Sequence, residues 1–440
     1  MSLTMPTSDF DTIIIGAGHN GLATGTVLAR NGHKVLVLEK NNYVGGMGGS
    51  REILKGCINE VGASCLFPLS TEIKDYFQFE ANGVELIPLP VMAVNLTGDD
   101  GRPLVFYKNP LKLAWGICKT FGPGAMLGFV RFMKFCQYPA QVLDRFTARK
   151  APQNLDDLIA QAPTAAQREQ LELAFKGSAM DIINKFFPDP IRHKELRANM
   201  AFAAVQATFK GPYTPGSGMC LIFTMAQEGS GGLMQRVKGG MGKLSECLAE
   251  QIREAGGEVR TKQFVSRILV EGDRAVGVVL KNGDHLFANC IVSNLDKPAT
   301  FNRLLIGHSI ADEVQSRIDD FEHRGAFVHM LFKLKGLPGF RELIVDKAIF
   351  SAEHFASMEG ATNGDWTHGL LHPNQMVGDR CIVAGTGHVT PLTNLFLCGS
   401  SCHPGPGVTF LPGYNCAYEV LEHCQFGDDE RSDVVVGCAA

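Results

Sequence analysis

The chain has 440 residues, 45% hydrophobic and 20% charged, with a formal net charge of −4, which excludes a disordered or collagen-like chain and gives no global attraction to nucleic acid. Its 49 glycines exceed the average usage of about 7% without a three-residue period, so they must serve local backbone needs. Its 13 cysteines are scattered without a CxxC pair, which is typical of a reducing compartment and predicts a cytoplasmic location.

The first forty residues predict a βαβ unit. Residues 11–15 are β-branched and apolar like a buried parallel strand, residues 16–21 form a glycine turn, and residues 22–31 have the spacing of a packed helix. A second buried strand at 34–38 ends at Glu39. This order, seated within about 30 residues, is typical of a nucleotide-binding fold.

The glycine turn has the sequence Gly16-Ala17-Gly18-His19-Asn20-Gly21, which matches GxGxxG. In this motif the first glycine permits the turn, the second lets the backbone approach a pyrophosphate, and the third lets the helix pack on the strand. Glu39 lies 18 residues after Gly21, where a carboxylate accepts hydrogen bonds from a ribose. The spacing predicts a dinucleotide site.

A second glycine loop follows the acidic residue, at Gly45-Gly46-Met47-Gly48-Gly49. Glycine lets the backbone pass close to a ligand. Plain NAD sites do not need such a loop, whereas a longer dinucleotide with a bulky redox ring does. The alternative interpretation is a surface loop.

The middle of the chain contains an acid-free segment. Residues 101–143 include six Lys or Arg and no Asp or Glu, and are rich in Leu, Phe, Met and Trp. This composition has two interpretations: a surface that contacts an anionic membrane, or a helix pair that lines a pocket and exposes its basic ends. No apolar run reaches the roughly 18 residues of a transmembrane helix. Residues 152–210 are predicted to be helical.

The remaining segments return to an α/β texture. The predicted elements are a helix at 244–255, strands within 258–280 and at 291–293, strands and loops over 301–390, a strand at 395–399 and a helix at 414–424. We therefore predict an α/β fold whose nucleotide-binding domain is assembled from 1–90, 236–300 and 391–425, with an inserted α+β substrate domain at 91–235 and 301–390 and a tail at 426–440.

Four stretches carry a resemblance to a known family. They are DTIIIGAGHNGLATGTVLARNGHKVLVLEKNNYVGGMGG, VKGGMGKLSECLAEQIREAGGEVRTKQFVSRILVEGDRAVGVVLKNGDHLFANCIVSN, GDWTHGLLHPNQMVGDR and NLFLCGSSCHPGPGVTFLPGYNCAYEVL. The chain resembles the phytoene dehydrogenase-like flavoproteins, in the branch named for a pyridine nucleotide-disulphide oxidoreductase domain beside the bacterial carotenoid desaturases. Residues 95–235 match only loosely.

The resemblance implies non-covalent FAD in a Rossmann-like domain. It places the pyrophosphate on the GxGxxG glycines, the adenosine ribose on Glu39, the adenine at the backbone of Val265, and the ribityl chain and ring along Gly399-Ser400 and the 403–413 loop. The implied cofactor residues are Gly16, Gly18, His19, Asn20, Gly21, Glu39, Lys40, Gly45, Gly46, Met47, Val265, Gly399, Ser400, Gly407 and Val408. Many relatives carry Gly-Asp at Gly399-Ser400, and the chain is shorter than the family between residues 339 and 364.

Three histidines are candidate catalytic residues. His329 lies in an apolar strand, His368 in the loop 365–369 and His403 in the predicted flavin loop; a satisfied core or loop histidine is the alternative for each. Arg380 is expected to meet a carboxylate or a surface acid. His368 and His372 have the spacing of a metal pair, but glycine and proline beside them spoil the helix, so no metal is predicted.

The resemblance implies an FAD-dependent oxidoreductase that dehydrogenates a hydrophobic small molecule by hydride transfer to the flavin N5. Redox-neutral isomerisation or hydration on reduced FAD, amine oxidation and a non-catalytic FAD-stabilised interaction protein are the alternatives. The expected partner is a lipophilic substrate, with membrane contact through 101–143, and a homo-oligomer is left open. No second GxGxxG occurs, so no separate NAD(P) domain is predicted.

Overall fold

The computed structural model describes residues 8–89, 91–96, 103–144, 154–205, 208–229, 235–324, 329–334, 344–350, 353, 355–365, 367–383 and 385–423. The predicted tail lies outside these residues, as do 326–328 of the predicted His329 strand.

The described strands are β1 (Phe10–Ile15), β2 (Val35–Leu38), β3 (Ser50–Leu54), β4 (Cys57–Glu60), β5 (Leu86–Pro88), β6 (Val91–Leu96), β7 (Pro103–Tyr107), β8 (Gln235–Val237), β9 (Glu258–Arg260), β10 (Val265–Glu271), β11 (Arg274–Leu280), β12 (His285–Ser293), β13 (His329–Leu334), β14 (Ile344–Phe350) and β15 (Leu395–Leu397). The described α-helices are α1 (His19–Arg30), α2 (Thr71–Phe77), α3 (Pro110–Phe121), α4 (Pro123–Asp144), α5 (Leu155–Ala160), α6 (Ala165–Phe175), α7 (Ala179–Phe186), α8 (Lys194–Val205), α9 (Ser217–Gly229), α10 (Gly242–Glu254), α11 (Asp312–Asp319) and α12 (Leu411–His423).

A seven-stranded sheet organises the fold, in the order β10-β11-β12-β1-β2-β9 with β15 paired to β12. Strand β1 runs parallel to β2 and β12, β2 runs parallel to β9, and β12 runs parallel to β15. Its strands come from the start, the middle and the end of the chain. The predicted α/β fold, with a sheet assembled from discontinuous segments, is therefore confirmed.

The central strands bury side chains on both faces, as parallel strands between helical layers must. Ile14 and Val37 join one apolar cluster, which α1, α10 and α12 complete, whereas Ile13 and Leu36 join a second cluster on the opposite face. Strand alternation thus fixes which side chains meet which layer.

Helix α1 begins at His19 rather than at the predicted residue 22. The predicted start came too late because glycine disfavours helix interiors. Gly21 lies in the first turn, and a Cβ at this position would be 2.3 Å from the carbonyl oxygen of Gly16. Only glycine lets the helix begin this close to the preceding loop.

A separate apolar core is built mainly by helices α3 to α9, and Leu371, Met376 and Val377 also pack into it. Helices through residues 155–205 confirm the helical prediction for that region. The prediction of only strands and loops over 301–390 is wrong at α11, which has Asp312 and Glu313 in its first turn, where acids favour a helix start. The domain boundaries stay predictions.

Candidate functional site

The carboxyl ends of four parallel strands meet at one edge of the sheet. Gly16 follows β1, Glu39 follows β2, Asn294 follows β12, and Gly399 comes two residues after β15. Open α/β sheets bind ligands outside this edge. The sheet topology thereby gathers three of the four stretches that carry the sequence resemblance.

The start of α1 offers donors for an anion. Its cap residue is Gly18, which provides no side-chain hydrogen bond, and the first turn contains no acidic residue. The amide groups of this turn therefore keep the partial positive charge of a helix N-terminus. Asn20 donates from Nδ2 to Ser400 Oγ at 3.3 Å, and its buried Oδ1 has no hydrogen-bond partner among the described residues. This is the environment that a pyrophosphate needs.

Glu39 is 6% exposed and is fixed by main-chain donors. Its carboxylate accepts from the N–H groups of Ala17 and Asn41, both at 2.9 Å. Burial raises the pKa of Glu39, and these two donors oppose that rise. The neighbouring ammonium of Lys40 has its pKa lowered by burial. The N–H of Gln263, two residues before Val265, donates to the Glu39 carbonyl at 2.7 Å, which brings the predicted adenine segment beside the predicted ribose residue.

The second glycine loop packs against the first. The N–H of Gly45 donates to the Ala17 carbonyl at 2.7 Å, and a Cβ on Gly46 would be 3.6 Å from the Cα of Gly18. The following residue, Met47, accepts at its carbonyl from the N–H of Ala63 at 2.9 Å. The interpretation of this loop as an isolated surface loop is therefore wrong.

His19 links the GxGxxG loop to the C-terminal segment. Its Nε2 lies 3.2 Å from the carbonyl oxygen of Gly407. A Cβ on Gly48 would lie 3.6 Å from His19 Nδ1 and 3.7 Å from Val408. Burial lowers the pKa of His19 to about 4, so its imidazole is neutral at pH 7.

Arg380 is fully buried and connects two loops, so the expectation of a surface acid is wrong, whereas the carboxylate of Asp365 interacts with its charge. Its guanidinium donates to the carbonyl oxygens of Ser400 at 2.8 Å, Cys402 at 3.2 Å and His368 at 3.4 Å. Burial lowers its pKa to about 10, which leaves it charged at pH 7. A lone arginine has no spacing signal in the sequence, so this connection could not be predicted.

The three candidate histidines occupy different environments. His329 Nδ1 lies 3.2 Å from the carbonyl oxygen of Val61. His403 is fully buried and interacts electrostatically with His388. The carbonyl of His368 shares the Arg380 guanidinium with the carbonyl of Ser400, and its imidazole interacts electrostatically with His19 at the start of α1. The catalytic roles of the three histidines stay predictions.

Asp296, which sequence reasoning missed, lies opposite His368. Its Oδ2 is 3.7 Å from His368 Nδ1, and its side chain is fully buried. Burial by itself would raise the pKa of Asp296, but its contacts with His368 and the Thr362 backbone hold it well below the usual range. The available signal was a carboxylate three residues after a buried strand at the ligand-binding edge of the sheet.

A family model described as flavin containing amine oxidoreductase matches residues 21–304. The chain belongs to this family. Its cofactor is therefore FAD, and the uncapped start of α1, the glycine loops packed on it and the orphaned Asn20 Oδ1 fit that dinucleotide.

Curated relatives share low identity with this flavoprotein. Pyridine nucleotide-disulfide oxidoreductase domain-containing protein 2 of Mus musculus is 24% identical over 76% of this chain and 61% of its own length. A prolycopene isomerase of Daucus carota is 29% identical over 68% of this chain and 48% of its own length. A phytoene desaturase of Cereibacter sphaeroides is 26% identical over 69% of this chain and 56% of its own length. The flavoprotein thus spans about half to three fifths of the length of these relatives.

Among solved structures, cyclohexylamine oxidase from Brevibacterium oxydans matches with a TM-score of 0.57 and 16% identity, over 94% of this chain and 99% of that one. At this identity the match shows the fold. It supports a flavoprotein architecture of mixed α/β type.

Proposed function

We propose that this flavoprotein dehydrogenates a hydrophobic small molecule and so introduces a carbon–carbon double bond. The observation that carries the proposal is the similarity to a desaturase and an isomerase of carotenoids over more than two thirds of the chain. FAD, when bound, supplies the two-electron acceptor, with N5 as the atom that takes a hydride. The protein then contributes binding, orientation and electrostatics.

In this proposal the residues at the sheet edge hold the cofactor. The first N–H groups of α1 bind the pyrophosphate, and Glu39 accepts from the adenosine ribose while its other lone pairs stay on Ala17 and Asn41. The Gly45-Gly46 loop runs along the dinucleotide, and Gly399-Ser400 follows the ribityl chain. The Ser400 hydroxyl, already held by Asn20, takes the place of the acid found in many relatives.

Redox-neutral isomerisation is the second candidate function, because prolycopene isomerases are among the relatives. The two reactions differ in electron balance. Dehydrogenation leaves the flavin reduced and consumes an acceptor, whereas isomerisation returns the flavin to its starting state. Product formation without acceptor consumption would therefore favour isomerisation.

An anaerobic screen of the yellow holoprotein against a lipophilic library tests the proposal. A desaturated substrate should bleach the oxidised flavin absorbance and yield a product two hydrogens lighter. Putrescine and cyclohexylamine provide a matched amine set under the same conditions. Bleaching by amines and by no apolar compound would refute the proposed reaction.

We also propose that helices α3 and α4 contact an anionic membrane through one face, here called the basic face. Its exposed residues are Leu111, Lys112, Trp115, Lys119, Leu127, Val130, Arg131 and Lys134. Trp115 is 69% exposed and Leu111 is 79% exposed, which is costly in water and suited to a lipid interface. In the described part of the chain, no helix is long and apolar enough to span a bilayer.

Cosedimentation with phosphatidylglycerol-containing vesicles tests the basic face. Each Lys near an anionic surface contributes about 1 kcal/mol, so Lys112→Gln should weaken binding about fivefold, and Trp115→Ser should weaken it further. Ile191→Ser is the control, because Ile191 is 86% exposed on a different segment. Binding that is absent at low salt, or that responds equally to all three variants, would overturn this part of the proposal.

A further inference from the structure

The loop that carries His368 is held in an unusual conformation. His368 has φ +52°, and Gly369 beside it has φ +110°. Non-glycine residues seldom adopt the left-handed region, and such strain gathers at functional sites. A Cβ on Gly369 would be 2.0 Å from Phe321, so only glycine fits there.

Asp365 maintains this conformation. Its carboxylate is fully buried and accepts from the Thr367 N–H at 3.0 Å, the Thr367 hydroxyl at 2.6 Å and the Gly369 N–H at 2.6 Å. Arg380 holds the His368 carbonyl from the other side. The backbone of His368 is thus fixed on both sides.

Asp296 is fixed as firmly. Its oxygens accept from the Thr362 N–H, the Thr362 hydroxyl and the Ala299 N–H, each at 2.8 Å. The carboxylate cannot turn away from His368 without breaking these bonds. The side chain of His368 is 20% exposed, so the histidine connects a fully buried carboxylate to a partly exposed position.

We infer that His368 is the proton acceptor and donor of the flavin site and that Asp296 is its positioning residue. Nδ1 faces the carboxylate, which leaves Nε2 as the nitrogen that exchanges the proton in this proposal. In known sites that contain a nucleophile and a histidine base, a further group hydrogen-bonds to the imidazole and fixes its tautomer. Asp296 occupies the position of that group here. The separation of 3.7 Å is of the kind that tightens when a site is filled.

This inference rests on the proposed function and completes its proton balance. When a CH–CH unit becomes C=C, one carbon loses a hydride with its electron pair and the other loses a proton. Bound FAD would supply the acceptor for the hydride, and Nε2 of His368 takes the proton and later releases it to water. The same group can donate and recover a proton in a redox-neutral isomerisation.

Four further charged or titratable groups interact with the His368–Asp296 pair. Asp296, at the end of β12, lies 3.7 Å from the imidazole, and His19 acts on the imidazole electrostatically from the start of α1. The buried His323 acts on Asp296 and lies 3.5 Å from Asp365. Asp365, on the loop of His368, interacts with the imidazole, and Arg380 donates to the His368 carbonyl. Two carboxylates and a cation thus act on one histidine, while burial lowers the pKa of His19 and keeps that residue neutral.

A pH titration of the absorbance of bound FAD between about pH 5 and 9, the range in which histidine titrates, tests the pair without a substrate. The wild-type holoprotein should show one protonation step, which His368→Gln abolishes while FAD content is retained. Asp296→Asn should shift the midpoint by about one pH unit toward acid, because a nearby carboxylate favours the charged imidazole. His372→Gln is the matched control and should leave the step unchanged, since His372 bonds to Pro215 and Asn374 outside the pair.

Thr362→Val provides a second variant if Asp296→Asn does not fold. It removes one donor to Asp296, which makes the carboxylate a stronger partner for His368 and should shift the midpoint toward alkali. A step that persists in His368→Gln, or midpoints that do not move in either partner variant, would overturn the inference. The titration uses no substrate, so its result does not depend on the lipophilic screen. Failure of that screen would refute the proposed reaction without deciding whether His368 and Asp296 act as a pair.

Discussion

Gly21 gives the sharpest test of the dinucleotide site. A Cβ at this position would lie 2.3 Å from the carbonyl oxygen of Gly16, whereas a carbon–oxygen contact needs about 3.3 Å. Gly21→Ala therefore forces the first turn of α1 about 1 Å away from the loop. The amide groups of that turn are the ones that face the pyrophosphate in the proposed site.

Two free energies follow from this displacement. Overpacking of a tight contact costs about 1–3 kcal/mol of unfolding free energy. Loss of one hydrogen bond to a charged group costs about 1.5–3 kcal/mol, which raises the Kd for FAD roughly 10- to 100-fold. The effect on cofactor affinity should thus exceed that of an ordinary destabilising substitution.

Fluorescence titration of apoprotein with FAD measures the affinity, and urea unfolding measures the stability. Gly25→Ala is the matched control on the same helix, because the three atoms nearest to its Cβ would all belong to side chains, the nearest being Ile252 Cδ1 at 2.8 Å. That flexible end can rotate, so Gly25→Ala should lower stability and keep the wild-type Kd. An unchanged Kd in Gly21→Ala would refute the reasoning.

Three further variants test the surroundings of the site. Arg380→Lys keeps the charge but loses the guanidinium whose several N–H groups join the two loops. It should lower the free energy of unfolding, measured by urea unfolding, by about 2–4 kcal/mol. A loss below about 1 kcal/mol would contradict the structure. Burial lowers the pKa of Lys297 to about 7 from 10.5. Between these two pH values the unfolded chain binds one proton more than the folded chain, so the free energy of unfolding should rise with pH. Lys297→Met should flatten this rise in unfolding measured at pH 7 to 9, and equal slopes in the variant and the wild type would argue against the buried ammonium. Gly369→Ala should destabilise more than Gly385→Ala in thermal melts, because both have positive φ but only the former meets a neighbour within 4 Å; equal losses would count against the close contact with Phe321.

The βαβ start was predictable because its signals are local. Apolar runs for β1 and β2, the glycine spacing and the acid after β2 all lie within thirty residues. The start of α1 was misplaced because helix propensity penalises glycine, whereas the close approach of Gly21 to Gly16 is a contact with the preceding loop. Helix α11 was missed for a different reason, since its short, strongly polar sequence buries only Ile318 and gives little apolar periodicity.

The site beyond the glycine loops could not be predicted in the same way. Arg380 donates to three carbonyl oxygens in two segments that are adjacent only after folding. Asp296 and His368 are 72 positions apart in the chain and meet because β12 ends beside the loop that Asp365 holds. No periodicity or spacing encodes such a pair.

The sequence by itself determined the fold class, the glycine turn at the start of α1 and the basic character of α3 and α4, because these depend on residue type and local spacing. The tertiary structure decided that His368 lies opposite the buried Asp296, and that a buried arginine joins two distant loops. Those outcomes depend on hydrogen bonds and buried charges between segments far apart in the chain. Such contacts exist only once the sheet has brought its carboxyl edge together.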